Sequence, residues 1–202
     1  MKLFETIKII NGKTPFLAFH QARFDKTRQL LFHNRKSIDL QKIIQPPDQT
    51  SIYRCRIIYS TEIEQIEYLP YQKRSFKYFK LVKDDYIQYE CKYVQREQIN
   101  KLVQLKQSAD DIIIIKQGWV TDTSIANIAF LDKNQWITSN TPLLAGTTRQ
   151  RLLERGVIVE KEIKVTDLPR FSKMALMNAL LGFYVVGTFE WLPPFLKIDE
   201  NL

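Results

Sequence analysis

Glycine, cysteine and histidine are all scarce in this chain of 202 residues: six, two and two respectively. The two cysteines, Cys55 and Cys91, form no metal-ligand spacing, and in a reducing compartment they are expected as free thiols rather than as a disulfide. His20 and His33 leave a serine or cysteine hydrolase few candidate bases, and no G-x-S-x-G or P-loop pattern accompanies them. Without an H-x-x-x-H or clustered carboxylate–histidine spacing, metal catalysis has no support either. No apolar run approaches the roughly 20 residues a membrane helix needs. The opening Met1-Lys-Leu-Phe-Glu-Thr places Glu5 where a secretory signal would be apolar, so no membrane partner and a cytoplasmic location are expected. What remains is chemistry built on lysine, carboxylate and anion-binding loops.

Charge is present in excess of one sign, with 30 Lys and Arg against 22 Asp and Glu. It is spread from Lys2 to Lys197. Its densest patch, Lys73-Arg74 with Lys77, Lys80 and Lys83, alternates with aromatics as a half-exposed strand would. No nucleic-acid partner is therefore expected, and attraction of a small anionic substrate or cofactor is a sufficient use for the charge. At 45% hydrophobic content the chain can bury a substantial core, in one large domain or two small ones.

The hydrophobic pattern reads as mixed α and β. A strand over residues 3–10 closes on Asn11-Gly12, a hairpin signal, and a second arm over 15–19 is expected to follow. Helical spacing predicts a helix over 21–33 and a shorter one over 37–44, capped by Ser37 and ended by Pro46-Pro47. Strands follow over 53–59 and 76–83, with a segment containing Pro70 between them that fits either a hairpin arm or a loop. The second half predicts a helix over 95–107 and a strand over 112–116 turning at Gln117-Gly118. Short strands over 125–131 and 135–137 precede a helix over 148–155 that ends at Gly156. A strand over 157–163 follows, then an apolar stretch over 175–187 interrupted by Gly182. The expected division is a small α+β domain over 1–88 and a larger α/β domain over 89–202.

Four features could carry chemistry: Arg23 on the first helix, Lys92 at a strand-to-helix change, Asp122 in Val120-Thr-Asp-Thr-Ser124, and Gly146-Thr-Thr-Arg149 at a helix start. An anion at that helix start would meet unpaired backbone N–H groups, the positive end of the helix dipole and the hydroxyls of Thr147 and Thr148. Taken singly, each has an ordinary structural reading: an exposed helix arginine, a solvated lysine, a turn aspartate and a plain N-cap.

Their order has a familiar counterpart. Leu3-Phe-Glu-Thr-Ile-Lys-Ile-Ile-Asn-Gly12 followed by His20-x-x-Arg23 resembles the opening of the fold-type-IV pyridoxal-phosphate enzymes, the class IV aminotransferase family. Lys92-Tyr-Val-Gln-Arg96 is similar to that family's lysine segment, in the form found in aminodeoxychorismate lyases. Gly118-Trp-Val-Thr-Asp-Thr-Ser-Ile-Ala-Asn127, Gly146-Thr-Thr-Arg149 and Met177-Asn-Ala-Leu180 resemble three further family blocks, in the family's order and over nearly the whole chain.

The resemblance implies the two-domain fold of D-amino-acid aminotransferases with a trimmed small N-terminal domain, its larger domain over 89–202 binding pyridoxal 5'-phosphate. It implies that Lys92 is the Schiff-base lysine and proton shuttle. It further implies that Arg23, Thr147 and Thr148 hold the phosphate, with Asn178 and Ala179 beside it. Asp122 takes the place of the family's glutamate, where a carboxylate keeps the pyridine nitrogen protonated. Asn127 is carried over as a cofactor-side residue and Arg96 as a substrate-side one. The implied activity is a lyase that converts 4-amino-4-deoxychorismate to 4-aminobenzoate and pyruvate, acting on a small anionic amine as a homodimer. A D-amino-acid or branched-chain aminotransferase is the first alternative, although the Arg-x-His element of D-amino-acid transaminases has no counterpart in Tyr59-Ser-Thr-Glu-Ile-Glu64. A catalytically silent cofactor-binding relative is the second.

Overall fold

The computed structural model of the chain describes residues 1–34 and 36–192. They form two compact units, each discontinuous in sequence. The first comprises 1–74, 89–95 and 179–182, and the second 75–88, 96–178 and, among the described residues, 183–192. The single division expected at residue 88 is replaced by this interleaving for a hydrogen-bonding reason. Strand β4 in the 75–88 segment pairs within the second unit's sheet, whereas 92–94 pair with the first strand of the chain.

In the first unit, strand β1 (Leu3–Ile10) alternates as its sequence predicts. The helices α1 (Leu17–Phe32) and α2 (Leu40–Ile43) follow, then strands β2 (Ile52–Tyr59) and β3 (Ile63–Pro70). The sheet order is β1-β2-β3, antiparallel throughout, with Leu3 opposite Tyr59 and Ile10 opposite Ile52. Because successive side chains point to opposite faces, Leu3, Ile7, Ile9, Cys55, Ile57 and Tyr59 share one face and pack with Phe24 of α1 and Leu40 of α2. Both cysteines are free and buried, and burial pushes the Cys55 thiol up to about 12.

The hairpin arm expected over 15–19 is not a strand. Asn11 and Gly12 do turn, with φ of 49° and 69°, but only the mutual Ile10–Lys13 bonds of 2.9 Å close the ladder before the chain enters α1. Residues 20, 24, 27 and 28 are the buried positions of α1, a helical spacing that overrides the extended reading of the preceding segment. The β1 edge left open by β2 is taken instead by 92–94: Phe4 N–H donates to the Lys92 carbonyl and Val94 N–H to the Lys2 carbonyl, both at 2.9 Å. The second helix is a single turn capped by Asp39, which accepts from Gln41 N–H at 2.9 Å, rather than by Ser37.

The second unit holds nine strands among its described residues. These are β4 (Tyr78–Lys83), β5 (Asp111–Lys116), β6 (Trp119–Thr123), β7 (Asn127–Asp132), β8 (Gln135–Ser139), β9 (Ile158–Lys161), β10 (Met174–Asn178), β11 (Gly182–Val186) and β12 (Glu190–Trp191). They run in the order β11-β10-β7-β6-β5-β4-β12, with β8 paired to β7 and β9 to β8. Helix α3 (Glu97–Gln104) links the parallel pair β4 and β5, and helix α4 (Thr147–Glu154) links the parallel pair β8 and β9. Ile112 to Ile115 are all buried, which explains why their sequence is a continuous apolar run. Asp122, expected in a turn, lies instead on strand β6. Among the described residues, no helix is long and apolar enough to cross a membrane.

Candidate active site

In the first unit a carboxylate sits where the alternation of β1 calls for an apolar side chain. Glu5 points to the core face with Leu3, Ile7 and Ile9 and is fully buried. Its Oε1 accepts from Arg23 Nε at 2.8 Å and its Oε2 from Arg23 Nη2 at 2.7 Å, while His20 Nδ1 lies 2.7 Å from the same Oε2. Helix α1 makes this possible because positions three apart share a face, which brings His20 and Arg23 together over β1. Burial alone would raise the Glu5 carboxyl. The Arg23 charge and the hydrogen bonds from His20 and Arg23 outweigh it and hold the group at about 2. Fork-to-fork pairing of this kind fixes a guanidinium plane. It uses Nε and Nη2 of Arg23 and leaves Nη1 directed elsewhere, on a side chain that is 14% exposed.

Lys92 reaches the other face of the same strand. Its ammonium lies 4.5 Å from the centre of the Phe4 ring, next to Glu5 in sequence and on the opposite side of the pleat. The backbone pairing of 92–94 with β1 sets this position. Ala179, the remaining site residue expected in this unit, belongs to the 179–182 turn segment.

In the second unit Asp122 is 5% exposed on β6. Its Oδ1 accepts from Asn127 Nδ2 at 2.7 Å and its Oδ2 from Leu144 N–H at 3.0 Å. Asn127 stands opposite it on β7 and donates also to the Leu144 carbonyl at 2.8 Å. Burial raises the Asp122 carboxyl to about 6, against the pull of Leu144 N–H, Asn127 and the more remote charge of Arg149. The hydrogen bonds and the Arg149 charge only partly offset the cost of burying this carboxyl.

Asn127 also locks the start of α4. A Cβ on Gly146 would collide with the Asn127 side-chain oxygen, so glycine is required for the chain to pass. Thr147 and Thr148 follow, both buried, at a helix start with no side-chain cap and no acidic residue in its first turn. Behind them Arg149 donates through Nη2 to the Ser139 carbonyl at 2.8 Å and pairs with Glu160. Two further expected residues converge on the loop between β6 and β7: Arg96 donates to the Ser124 carbonyl and Asn178 to the Ile125 carbonyl, the latter at 3.2 Å.

The expected residues thus fall into two groups, Arg23, Lys92 and Ala179 in one unit and Arg96, Asp122, Asn127, Thr147, Thr148 and Asn178 in the other. Sequence reading gave no role to Glu5, Leu144 or the Gly146–Asn127 contact. Only Glu5 carried a signal, as an acid on the apolar face of an otherwise regular strand.

Residues 90–188 match the amino-transferase class IV family. An uncharacterized protein of Haemophilus influenzae is 39% identical over 184 residues, which is 89% of this chain and 98% of the relative. The chain belongs to the class IV aminotransferase family. The crystal structure of a Haemophilus somnus protein described as a putative 4-amino-4-deoxychorismate lyase superposes on this family member with a TM-score of 0.83 at 39% identity. The match covers 90% of this chain and 97% of that one. A Mycobacterium tuberculosis structure described as a hypothetical aminotransferase in its pyridoxal-phosphate-bound form shares the fold, with a TM-score of 0.77 at 18% identity over 94% of this chain and 81% of that one. The mixed α/β fold expected from the sequence is the fold of these class IV proteins, and the chain is an enzyme of lyase or aminotransferase kind.

Proposed function

We propose that this class IV enzyme is a pyridoxal-phosphate lyase that converts 4-amino-4-deoxychorismate to 4-aminobenzoate and pyruvate. The observation that carries the reading is Asp122, a buried carboxyl fixed by Asn127 and Leu144 and held at about 6. Such a group is stabilised by a protonated ring nitrogen, and that is the charge pyridoxal phosphate brings. The anion-binding groups also fit: Arg23 is oriented by Glu5 with Nη1 still to donate, and α4 starts with two buried threonines and no competing acid. The relative described as a lyase matches nearly end to end, which supports this substrate over an amino acid.

When bound, pyridoxal phosphate supplies an electron sink for the substrate carbon that carries the amine. Lys92 Nζ is the amine that would hold the cofactor covalently, and as a neutral amine it would be the base that takes the proton from that carbon. Asp122 keeps the ring nitrogen protonated through a side chain that Asn127 prevents from turning. Arg23, with the amides and hydroxyls of Thr147 and Thr148, binds the phosphate, and Asn178 and Ala179 lie beside it. Arg96 acts from the substrate side by holding the Ser124 carbonyl and thereby the loop. Loss of the enolpyruvyl group from the neighbouring carbon makes the ring aromatic, so positioning and proton transfer are the main demands on the protein.

The test is turnover of 4-amino-4-deoxychorismate by the purified protein and by Lys92→Ala, followed as 4-aminobenzoate. Formation by the wild type and its loss in the variant are expected; no product from the wild type would refute the lyase. An aminotransferase would instead change the cofactor absorbance on mixing with D-alanine or a branched-chain amino acid, and no change is expected. The same reading carries a cytoplasmic homodimer over from the family, and light scattering at twice the 23.9 kDa chain mass is the expected result.

A further inference from the structure

The face of the three-stranded sheet that turns away from the core is unusually basic. Register places Phe4, Thr6 and Lys8 of β1 opposite Ile58, Arg56 and Arg54 of β2, and these opposite Gln65, Glu67 and Leu69 of β3. With Lys92 over Phe4, four cations meet one acid at these positions. Two of them share one ring: the Arg56 guanidinium lies 4.9 Å and the Lys92 ammonium 4.5 Å from the centre of Phe4. The two heads are therefore no farther apart than those two lengths combined. Arg56 is about one-third exposed, and its acidic neighbour Glu67 approaches no closer than 3.7 Å, longer than a hydrogen bond. A guanidinium in this state keeps N–H donors for a second carboxylate.

We infer that Arg56 binds a carboxylate of the substrate on which Lys92 acts as base, so that this sheet face selects amines bearing a carboxylate at the far end of the molecule. The inference rests on the lyase reading. In that substrate, amine and ring carboxylate stand at opposite ends of a six-membered ring, so a cation is needed for the carboxylate about a ring's length from the reacting centre, and Arg56 shares the Phe4 ring with Lys92. Lys8 and Arg54 extend the positive face outward and draw the anion in, whereas Arg56, nearest the reacting amine, fixes its orientation. Glu67 competes with the substrate for Arg56. Its removal should therefore strengthen binding, an effect no purely structural pair would produce.

Binding of chorismate, which keeps both carboxylates but lacks the amine, is measured by calorimetry on the holoenzyme alongside turnover. Arg56→Gln is expected to weaken chorismate on the order of tenfold, the scale of one charge-assisted hydrogen-bonded pair, and to raise KM with little change in kcat. Arg56→Lys should recover part of the loss, and Glu67→Gln should tighten binding severalfold. Unchanged chorismate affinity in Arg56→Gln, or no binding by the wild type, overturns the inference. If the wild type binds chorismate in an Arg56-dependent way yet forms no 4-aminobenzoate, the lyase reading fails and the carboxylate subsite stands.

Discussion

Replacing Asp122 by asparagine should make the cofactor-free protein more stable and the enzyme nearly inactive. The carboxyl is raised from its ordinary 3.8 to about 6. At about 1.4 kcal/mol per unit, its charged form therefore costs about 3 kcal/mol in the folded protein. A folded value above the unfolded one means that the native state binds the extra proton. This cost is absent below pH 3.8, grows between 3.8 and 6 and is complete above 6. Asparagine removes the charge, but its NH₂ must face a donor, because both Asp122 oxygens accept from N–H groups. That mismatch returns about 1 kcal/mol. The net expectation is a variant about 2 kcal/mol more stable than the wild type at pH 8, with the gap narrowing and reversing as pH falls toward 4. Urea unfolding of both proteins without cofactor, at several pH values, measures it. A variant less stable at pH 8, or a difference that does not move with pH, would refute the reasoning. Turnover should fall by about 10²-fold, since a fixed electrostatic partner is lost.

Glu5→Gln leaves Arg23 without its buried counter-charge and should cost about 3 kcal/mol of stability, read from thermal or urea unfolding. Because the Glu5 carboxyl is held at about 2 against an ordinary 4.5, its contribution is complete above pH 4.5 and is lost as pH falls toward 2. The wild type should weaken across that window more steeply than the glutamine variant. Gly146→Ala must displace the Asn127 side chain and with it the bond to Asp122; a fold retained by circular dichroism with at least about tenfold lower turnover is expected. Tyr59→Phe removes the 2.7 Å bond to the Thr27 hydroxyl in the buried core and should cost about 1 kcal/mol in urea unfolding.

The sequence was most legible where local chemistry decides the structure. The alternation of β1, the Asn11-Gly12 turn and the helix ending before Gly156 all follow from their own residues. Pairing partners were not legible: β1 uses β2 on one edge and 92–94 on the other, contacts set by segments some 40 to 90 residues away. Strand β6 escaped because Thr121, Asp122 and Thr123 are polar and yet all buried, so no alternation marks them. Their polarity is absorbed by specific bonds, such as Thr121 Oγ1 to the Ile114 carbonyl at 2.8 Å. The site residues could be named by family resemblance, but their supports could not. Glu5 lies 18 residues from Arg23, and Leu144 lies 22 from Asp122 and acts through its backbone.

In the proposed enzyme one amine, Lys92, carries the cofactor. Borohydride reduction of the purified yellow protein, followed by peptide mass mapping, tests it most directly. A phosphopyridoxyl adduct is expected on the peptide containing Lys92, and none in Lys92→Ala. An adduct on another lysine, or none on any, would contradict it.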